Sequence, residues 1–269
     1  MTNPDFIFEK LWDIYTSQNP SVQKVYDVFK AENEELINDH IAFRTFNHPK
    51  INIDVLSDVF IKNGYKYIQS YDFEAKKLNA RHFEHENDKN APRVFISELK
   101  TEEFSDFLQN VVHSIVDIIP TEILNSDELI FSGNSWGIPS YKIYEALRLE
   151  SEYASWVYYN GFCANHFTVS VNHLKKYDSV EKVNEFLKSN GFMMNDSGGE
   201  IKGTPDELLE QSSIKADVFD GVFQEGEFEI TGCYYEFAKR YPLSDGNLYS
   251  GFIAKSADKI FESTDLYKK

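Results

Sequence analysis

Two histidines in similar settings are the residues of this chain best placed to do chemistry. His40 lies near the start of "NDHIAFRTF" (38–46), and His166 lies near the start of "CANHFTVSV" (163–171). Alternating side chains predict that both segments are strands. Glu236, in "GCYYEFAKR", is a carboxylate among aromatic residues, which is costly to bury unless it is paired or binds a metal. Two histidines and one carboxylate are the ligand set typical of non-haem Fe(II) sites with open coordination positions.

Each of these residues also has an ordinary structural explanation. A lone histidine in a strand is most often a hydrogen-bonded structural residue, and a lone glutamate is more often half of an ion pair. Arg240 would share a strand face with Glu236, so it is the obvious partner for such a pair. The case for a metal site therefore depends on whether His40 and His166 occupy equivalent positions.

An internal repeat provides that equivalence. In each half of the chain the histidine strand is followed by a helix that ends at an Asn-Gly pair, and glycine favours the left-handed conformation there. The two glycines, Gly64 and Gly191, follow their histidines at nearly the same spacing. An Asn-His pair also follows each strand. The shared order and spacing indicate two copies of one structural module.

The elements of the first half follow from hydrophobic periodicity. Residues 4–17 and 21–37 have apolar residues at helical spacing, and Ser21 is a candidate cap for the second helix. After the repeat helix, "YKYIQSYDF", "RHFEHE" and "PRVFISEL" predict three strands. Residues 101–119 then predict a long amphipathic helix with Thr101 as its cap.

The second half adds one element. "TPDELLEQSS" has Thr204, Pro205 and Glu207 in the arrangement of a capping box, which predicts a short extra helix. "SIKADVFDGVF" and "EFEITGCYYEFAKRY" predict strands joined by a turn at "QEGE". Each half is thus predicted to be a β-α-β-β-β module. We expect a single domain made of N-terminal helices (1–37), a first module (38–99), a helical and loop insertion (100–160) and a second module with the C-terminal segment (161–269).

Composition excludes several classes of protein. The chain has 269 residues, enough for a substantial core, and its net charge of −17 argues against a nucleic-acid partner, because phosphate binding needs a basic face. Two cysteines do not make a disulfide framework. The N-terminus does not resemble a signal peptide, and no run of about 18 apolar residues predicts a membrane span. We therefore expect a cytoplasmic protein that does not bind membranes.

Strand alternation also sorts the remaining polar and sulfur-containing side chains. Cys163 and Cys233 each precede a candidate ligand by three residues, so they would point to the opposite face and are expected in the core. His82 and His85 cannot share a face of one strand. Four polar residues would share a strand face with a candidate ligand: Arg44, Thr168, Ser170 and Arg240. Of these, Thr168, Ser170 and Arg240 are candidates for binding substrate.

At these residues the chain resembles a known family. "NDHIAFRTF", "ANHFTVSV", "NGF" and above all "YYEFAKR" resemble the 2-oxoadipate dioxygenase/decarboxylase family, from about residue 30 to the end, including "IFESTD" near the C-terminus. That family belongs to the vicinal oxygen chelate superfamily. The resemblance implies an α+β fold in which paired β-α-β-β-β modules form a metal-binding cup.

The resemblance also implies an activity and a set of site residues. The Fe(II) ligands would be His40, His166 and Glu236, and Arg44 would bind the substrate carboxylate as a catalytic residue. The implied reaction converts 2-oxoadipate and O2 to 2-hydroxyglutarate and CO2, a step of lysine breakdown. The chain is shorter than the long bacterial members of the family, which leaves the 2-oxo acid substrate open.

Two other functions remain on the same scaffold. A metal-dependent isomerase or lyase of the glyoxalase type would use a fourth protein ligand, for which Glu98 in "PRVFISELK" is the candidate. A non-catalytic protein that binds a small molecule is the second, because a fold does not determine a function. The oligomeric state does not follow from the sequence.

Overall fold

The computed structural model describes residues 4–253, which form a mixed architecture of helices and strands. The helices are α1 (Pro4–Gln18), α2 (Pro20–Ala31), α3 (Ile53–Lys62), α4 (Asp106–Ile118), α5 (Thr121–Leu124), α6 (Tyr141–Glu150), α7 (Glu152–Asn160) and α8 (Val180–Ser189). The strands are β1 (Asn38–Phe46), β2 (Tyr65–Phe73), β3 (Leu78–His85), β4 (Arg93–Leu99), β5 (Ala164–Ser170), β6 (Lys202–Thr204), β7 (Leu209–Ser213), β8 (Val218–Phe223), β9 (Gly226–Thr231) and β10 (Tyr234–Arg240).

The first of two compact units holds the chain as far as Tyr15, Ala42–Asn165 and Val218–Ile230. Its strands lie in the order β2-β3-β4-β1, and β3 pairs antiparallel with both β2 and β4. Helix α3 packs on β2 and β4 through a buried stripe that includes Leu56 and Phe60. Strands β8 and β9 form a two-stranded sheet of their own.

The second unit holds Thr16–Ile41, His166–Asp217 and the residues from Thr231 onward. Its strands lie in the order β1-β5-β10-β7-β6, and β1 contributes its first residues here. Strand β10 pairs parallel with β5 and antiparallel with β7. Every residue of β5 is buried, yet four of the seven are polar, namely Asn165, His166, Thr168 and Ser170. This differs from the apolar run usual in a covered parallel strand.

The predicted repeat is present in the order of the elements. One copy runs β1-α3-β2-β3-β4, and the other runs β5-α8-β6-β7-β10, with the β8–β9 hairpin inserted before its last strand. The glycines after α3 and α8 both adopt the left-handed conformation, with φ of 91° at Gly64 and 87° at Gly191. Asn52 and Ser179 cap the two helices by accepting hydrogen bonds from backbone N–H groups.

The predicted helix at "TPDELLEQSS" is wrong beyond its first turn. Thr204 does cap, since its hydroxyl accepts a hydrogen bond from Glu207 N, but only a 3-10 turn at Pro205–Glu207 follows. Leu208 then adopts a left-handed conformation with φ of 66°, which ends the helix. The residues after it form strand β7 because they pair with β6 and β10.

Other boundaries also differ from the prediction. Helix α2 begins after Asn19 rather than at Ser21, and it ends at Ala31 rather than at residue 37. A separate 3-10 turn begins at Thr101, and Ser105 caps α4 by accepting a hydrogen bond from the N–H group of the third residue after it. The segment "EFEITGCYYEFAKRY" divides into β9 and β10, and the turn at "QEGE" is confirmed.

Two further observations concern the extent of the described chain. The "IFESTD" motif lies outside the described residues. Within residues 4–253, no helix is long and apolar enough to cross a membrane.

Candidate metal centre

Three buried side chains from three strands of the second unit converge on one point. His40, His166 and Glu236 each offer one ligand atom, and these atoms lie within 4.8 Å of one another. The Nε2 atoms of His40 and His166 lie 3.6 and 3.4 Å from the two carboxylate oxygens of Glu236. The three residues are only 2%, 5% and 0% exposed. Such a cluster has the donor set and the burial that a divalent transition metal requires.

The parallel pairing of β5 and β10 produces this convergence. His166 lies opposite Tyr234, and Glu236 lies opposite Thr168, two residues along on the same strand face. The His166 ring stacks on Tyr234, with 4.8 Å between ring centroids. The rings of His40 and His166 meet edge to face at 5.5 Å. The period of two in each strand is therefore what brings all three ligands to one face.

Glu236 is the most costly of the three groups to bury. Its Oε1 accepts a hydrogen bond from the buried amide of Gln211, whereas its Oε2 has no hydrogen-bond partner among the residues described. Burial raises the pKa of the Glu236 carboxyl to about 8. A cation at the cluster would satisfy Oε2 and would favour the ionised carboxylate. The three residues therefore fit a bound metal ion.

His40 is oriented by the residue that precedes it. Its Nδ1 lies 2.8 Å from Asp39 Oδ1, so the ring donates there and its Nε2 faces Glu236. A carboxylate on the far nitrogen of a histidine ligand is the usual way in which proteins fix the tautomer of that ligand. Thr168 Oγ1 lies 3.0 Å from the same Nε2, so a metal on this nitrogen would replace that hydrogen bond.

Arg240 does not form the ion pair with Glu236 that strand alternation suggested. Its guanidinium binds Asp39 through two parallel hydrogen bonds, Nε to Oδ2 at 2.7 Å and Nη2 to Oδ1 at 2.8 Å. The Nη1 group donates to the carbonyl oxygens of Tyr249 and Gly251. These four bonds use most of its donors, which argues against the predicted role of Arg240 in binding substrate.

Arg44 lies in the first unit, buried among aromatic residues. Its guanidinium carbon lies 5.2 Å from the centre of the Tyr153 ring and 5.1 Å from that of Trp156, and the residue is 2% exposed. Tyr153 is itself held by its hydroxyl, which donates to Ser97 O and accepts from Thr45 N. A cation positioned on two aromatic faces is attracted by the ring electrons and kept in a defined orientation.

Glu98 has a hydrogen-bond partner within the first unit. Its Oε2 accepts a hydrogen bond from Ile53 N at the start of α3, a position that favours negative charge. Neighbouring residues of a strand face opposite sides, so Ser97 points the other way, and its hydroxyl donates to Phe43 O. The four-ligand site that a glyoxalase-type reaction would use therefore receives no support from Glu98.

The remaining candidates have structural surroundings. Cys163 and Cys233 are buried as predicted, and burial raises the pKa of the Cys163 thiol to about 12. His82 is fully buried and hydrogen-bonds to the Tyr71 hydroxyl at 2.9 Å. Ser170 is buried and bonds to the Nδ1 atom of the neighbouring His173 at 2.9 Å.

Sequence reasoning missed two residues that contact the ligands. Asp39 precedes His40, and alternation places it on the opposite face of the strand, so no periodic signal pointed to it. Gln211 lies in β7, which the capping box had assigned to a helix. Its contact with Glu236 follows from the pairing of β7 with β10, where Glu236 lies opposite Ser213. Only an arrangement of strands could have identified either residue.

The chain is similar to known proteins of one family. The family model described as 2-oxoadipate dioxygenase/decarboxylase matches residues 7–247. A chloroplastic 2-oxoadipate dioxygenase/decarboxylase of Arabidopsis thaliana is 35% identical over 84% of this chain and 67% of its own length. The hydroxyglutarate synthase of Oryza sativa, crystallised with 2-oxoadipate, is 32% identical, covers 97% of this chain and 91% of its own, and superposes with a TM-score of 0.91.

Two bacterial structures extend the comparison. A Shewanella frigidimarina protein, provisionally described as a hydrolase, is 46% identical over 94% of this chain and 99% of its own, with a TM-score of 0.89. A glyoxalase-superfamily protein of Ralstonia eutropha is 19% identical, covers 93% of this chain and 84% of its own, and has a TM-score of 0.77, which speaks for the fold alone. The predicted fold of the vicinal oxygen chelate type is confirmed.

The comparisons overturn one expectation from composition. A cytoplasmic location is contradicted by the two plant relatives, because the Arabidopsis protein is described as chloroplastic and the Oryza sativa protein as chloroplastic or amyloplastic.

Proposed function

Because the chain belongs to the 2-oxoadipate dioxygenase/decarboxylase family, we propose that it is an Fe(II) enzyme that converts 2-oxoadipate and O2 to 2-hydroxyglutarate and CO2. The observation that carries the proposal is the buried cluster of His40, His166 and Glu236. In this reaction one substrate supplies the electrons and also receives the oxygen, so no second 2-oxo acid is consumed. We assign the reaction to lysine breakdown.

Three residues would hold the iron. His40 and His166 would bind through Nε2, and Glu236 would bind through the carboxylate oxygen that accepts no hydrogen bond from the described residues. When bound, Fe(II) would supply coordination positions for a chelating 2-oxo acid and for O2, and it would mediate the transfer of electrons from that acid to O2. Asp39 and Gln211 would keep two of the ligands in place, since each bonds directly to one of them.

Arg44 would bind the carboxylate of the substrate that does not chelate the metal. The residue lies on the strand that carries His40, and a buried guanidinium can grip a carboxylate with two parallel hydrogen bonds. In a chain with a net charge of −17, a dianionic substrate needs such a local cation. Thr168 and Ser170 are buried hydroxyl groups on the face of His166, and we assign them to substrate contacts as well.

Oxygen uptake by the purified protein tests the proposal. With Fe(II) and a panel of 2-oxo acids in an oxygen electrode, 2-oxoadipate should be consumed with equal amounts of O2 taken up and CO2 released. No 2-oxoglutarate should be needed. An absolute requirement for added 2-oxoglutarate would contradict the single-substrate reaction.

The same assay separates the two alternative functions. Turnover with zinc or nickel and no O2 uptake would indicate a glyoxalase-type isomerase or lyase. A protein that binds the 2-oxo acid but neither binds metal nor turns over would be a non-catalytic binding protein.

A further inference from the structure

The chain reverses direction after β10 and returns to the metal centre. Pro242 and Leu248 form an isolated antiparallel bridge, and Tyr249 N donates to Tyr241 O at 2.9 Å. We call Tyr241–Phe252 the return segment. Its last residue, Phe252, is buried, and its ring meets the His40 ring edge to face with 4.8 Å between centroids. The return segment therefore supplies an apolar wall to a proposed metal ligand.

Arg240 contacts both the return segment and the carboxylate that orients His40. On one side its Nη1 donates to Gly251 O at 2.7 Å and to Tyr249 O at 3.1 Å. On the other side it binds both oxygens of Asp39, one of which also accepts from His40 Nδ1. Its guanidinium also lies 5.1 Å from the centre of the Phe252 ring. A single buried side chain thus connects two regions that both touch His40.

We propose that Arg240 is a positioning residue that couples docking of the return segment to the geometry of His40, so that the metal centre is complete only when the segment is docked. This inference rests on the proposed metal centre. Asp39 and Arg240 are 4% and 2% exposed, so each charge depends on the other. Loss of either would leave a buried charge uncompensated and would free the His40 ring to reorient.

The planar guanidinium is what allows the coupling. It presents donors in fixed directions, which lets it bind a carboxylate with two parallel bonds and still reach two carbonyl groups. A lysine has a single side-chain nitrogen, so it cannot form both the paired hydrogen bonds to the carboxylate and the hydrogen bonds to the two carbonyl groups. The backbone of Arg240 is also held in place. The side-chain amide of Asn172 donates to Arg240 O and accepts from Arg240 N.

The first experiment compares Arg240→Lys with a matched control, Lys239→Arg, on the same strand. Lys239 faces the other way, and its ammonium group donates to Asp178 O. Anaerobic Fe(II) or Co(II) titration gives the dissociation constant of the metal, and hydrogen exchange of the metal-free protein reports on the return segment. Arg240→Lys should weaken metal binding by about 10- to 100-fold and raise exchange at residues 249–252. Lys239→Arg should change neither.

The second experiment changes the return segment instead of Arg240. In Gly251→Ala the added Cβ would lie 2.5 Å from Tyr249 Oη, so the Tyr249 side chain or the backbone of the return segment must move, while Asp39, Arg240 and the three ligands stay unchanged in sequence. If docking is coupled to His40, this variant should also bind metal more weakly, by at least about fivefold. It also keeps the test decisive if Arg240→Lys fails to fold.

The outcomes separate this inference from the proposed function. Wild-type metal affinity in Gly251→Ala, together with faster exchange of the return segment, would overturn the coupling while leaving the metal centre intact. Unchanged exchange in Arg240→Lys would overturn it as well. A wild-type protein that binds no metal would overturn the proposed function, and this inference with it.

Discussion

The last strands of the two modules, β4 and β10, occupy corresponding places in their modules but carry different chemistry. On β10, Glu236 is buried with one oxygen that accepts no hydrogen bond from the described residues. On β4, Ser97 donates to a backbone carbonyl, and the carboxylate of Glu98 accepts from the N-terminus of α3. Strand β4 therefore has polar side chains, Ser97 and Glu98, that are hydrogen-bonded within the first unit. Strand β10 instead presents a carboxylate oxygen of Glu236 that a bound cation would satisfy.

This difference shows how a repeated module can be specialised. The second unit collects the donors suited to a metal, and the first unit holds a cation, Arg44, on two aromatic rings. A 2-oxo acid with two carboxylates also has two unlike ends, one that chelates and one that only needs a positive partner. The predictions below test the metal ligands and Arg44 separately.

Loss of a ligand should have the largest effect. In His40→Ala, His166→Ala and Glu236→Ala, we expect turnover to be abolished and iron binding to be weakened, because a three-residue site has no spare protein donor. The variants should remain folded, as judged by circular dichroism. Iron content after anaerobic loading and O2 uptake are the measurements.

His82→Ala is the matched control for these variants. His82 is as buried as the ligands, but its partners are Tyr71 and Glu84. It should retain its iron and its activity relative to folded protein. Full activity in any ligand variant would remove that residue from the metal site, and loss of iron from the control would show that the cluster is misassigned.

Arg44→Lys should have the next largest effect and should leave iron binding intact. A lysine keeps the charge but cannot form two parallel bonds with a carboxylate. Losing one charge-assisted hydrogen bond would cost about 1.5–3 kcal/mol, which is about 10- to 150-fold in kcat/KM for 2-oxoadipate. Arg81→Lys is the control, since Arg81 pairs with Asp54 at the surface. Wild-type kcat/KM in Arg44→Lys would refute the assignment.

The raised pKa of Glu236 predicts how the stability of the metal-free protein depends on pH. The carboxyl titrates at about 8 in the folded chain and near 4.5 when unfolded, so between these values the folded state binds more protons. Stability should therefore fall as pH rises from about 4.5 to 8. Thermal unfolding at several pH values should show this slope in metal-free wild type.

Two comparisons isolate the contribution of Glu236 from that of other groups. Glu236→Gln has no titrating carboxyl, so its stability relative to wild type should increase over the same range of pH. Addition of Fe(II) or Co(II) to the wild type should remove the fall, because the metal favours the ionised form. Parallel pH profiles for metal-free wild type and Glu236→Gln would contradict the raised pKa.

The sequence predicted most of the fold because its signals were local and repeated. The histidine strands and the helices that end at Gly64 and Gly191 are visible in spacing and periodicity. The strand predicted at "SIKADVFDGVF" is wrong as part of the second module, because β8 pairs with β9 in a separate sheet. Strand β7 was missed because a genuine capping residue, Thr204, begins only a single turn. A capping residue specifies where a helix starts but not how long it is. Here the helix ends after one turn because the following residues pair with neighbouring strands as β7.

The candidate ligands were predictable for the same reason, whereas their partners were not. Alternation sorts residues by face, so it grouped His166, Thr168 and Ser170 correctly on one strand. It could not anticipate that Arg240 binds Asp39, because that contact joins residues of two different strands. Contacts between distant strands depend on tertiary pairing, which one sequence does not specify.

The smallest effect should come from the residue that supports Arg44. In Tyr153→Phe the ring that faces the guanidinium stays, but the hydroxyl that accepts from Thr45 N and donates to Ser97 O is lost. Leaving these buried backbone groups without that partner should cost about 1–3 kcal/mol of unfolding free energy. The denaturation midpoint should fall with an unchanged slope, and iron content should stay at the wild-type value.

Tyr67→Phe provides the baseline for that measurement, because Tyr67 is exposed and its hydroxyl bonds to the Ser70 side chain. It should change stability by no more than about 0.5 kcal/mol. If Tyr153 supports Arg44 and not the metal ligands, Tyr153→Phe should lower stability. It should also reduce kcat/KM slightly, by less than Arg44→Lys does. Loss of iron from Tyr153→Phe would mean that the aromatic support of the first unit and the ligands of the second do not act separately, and the comparison of the two units would fail.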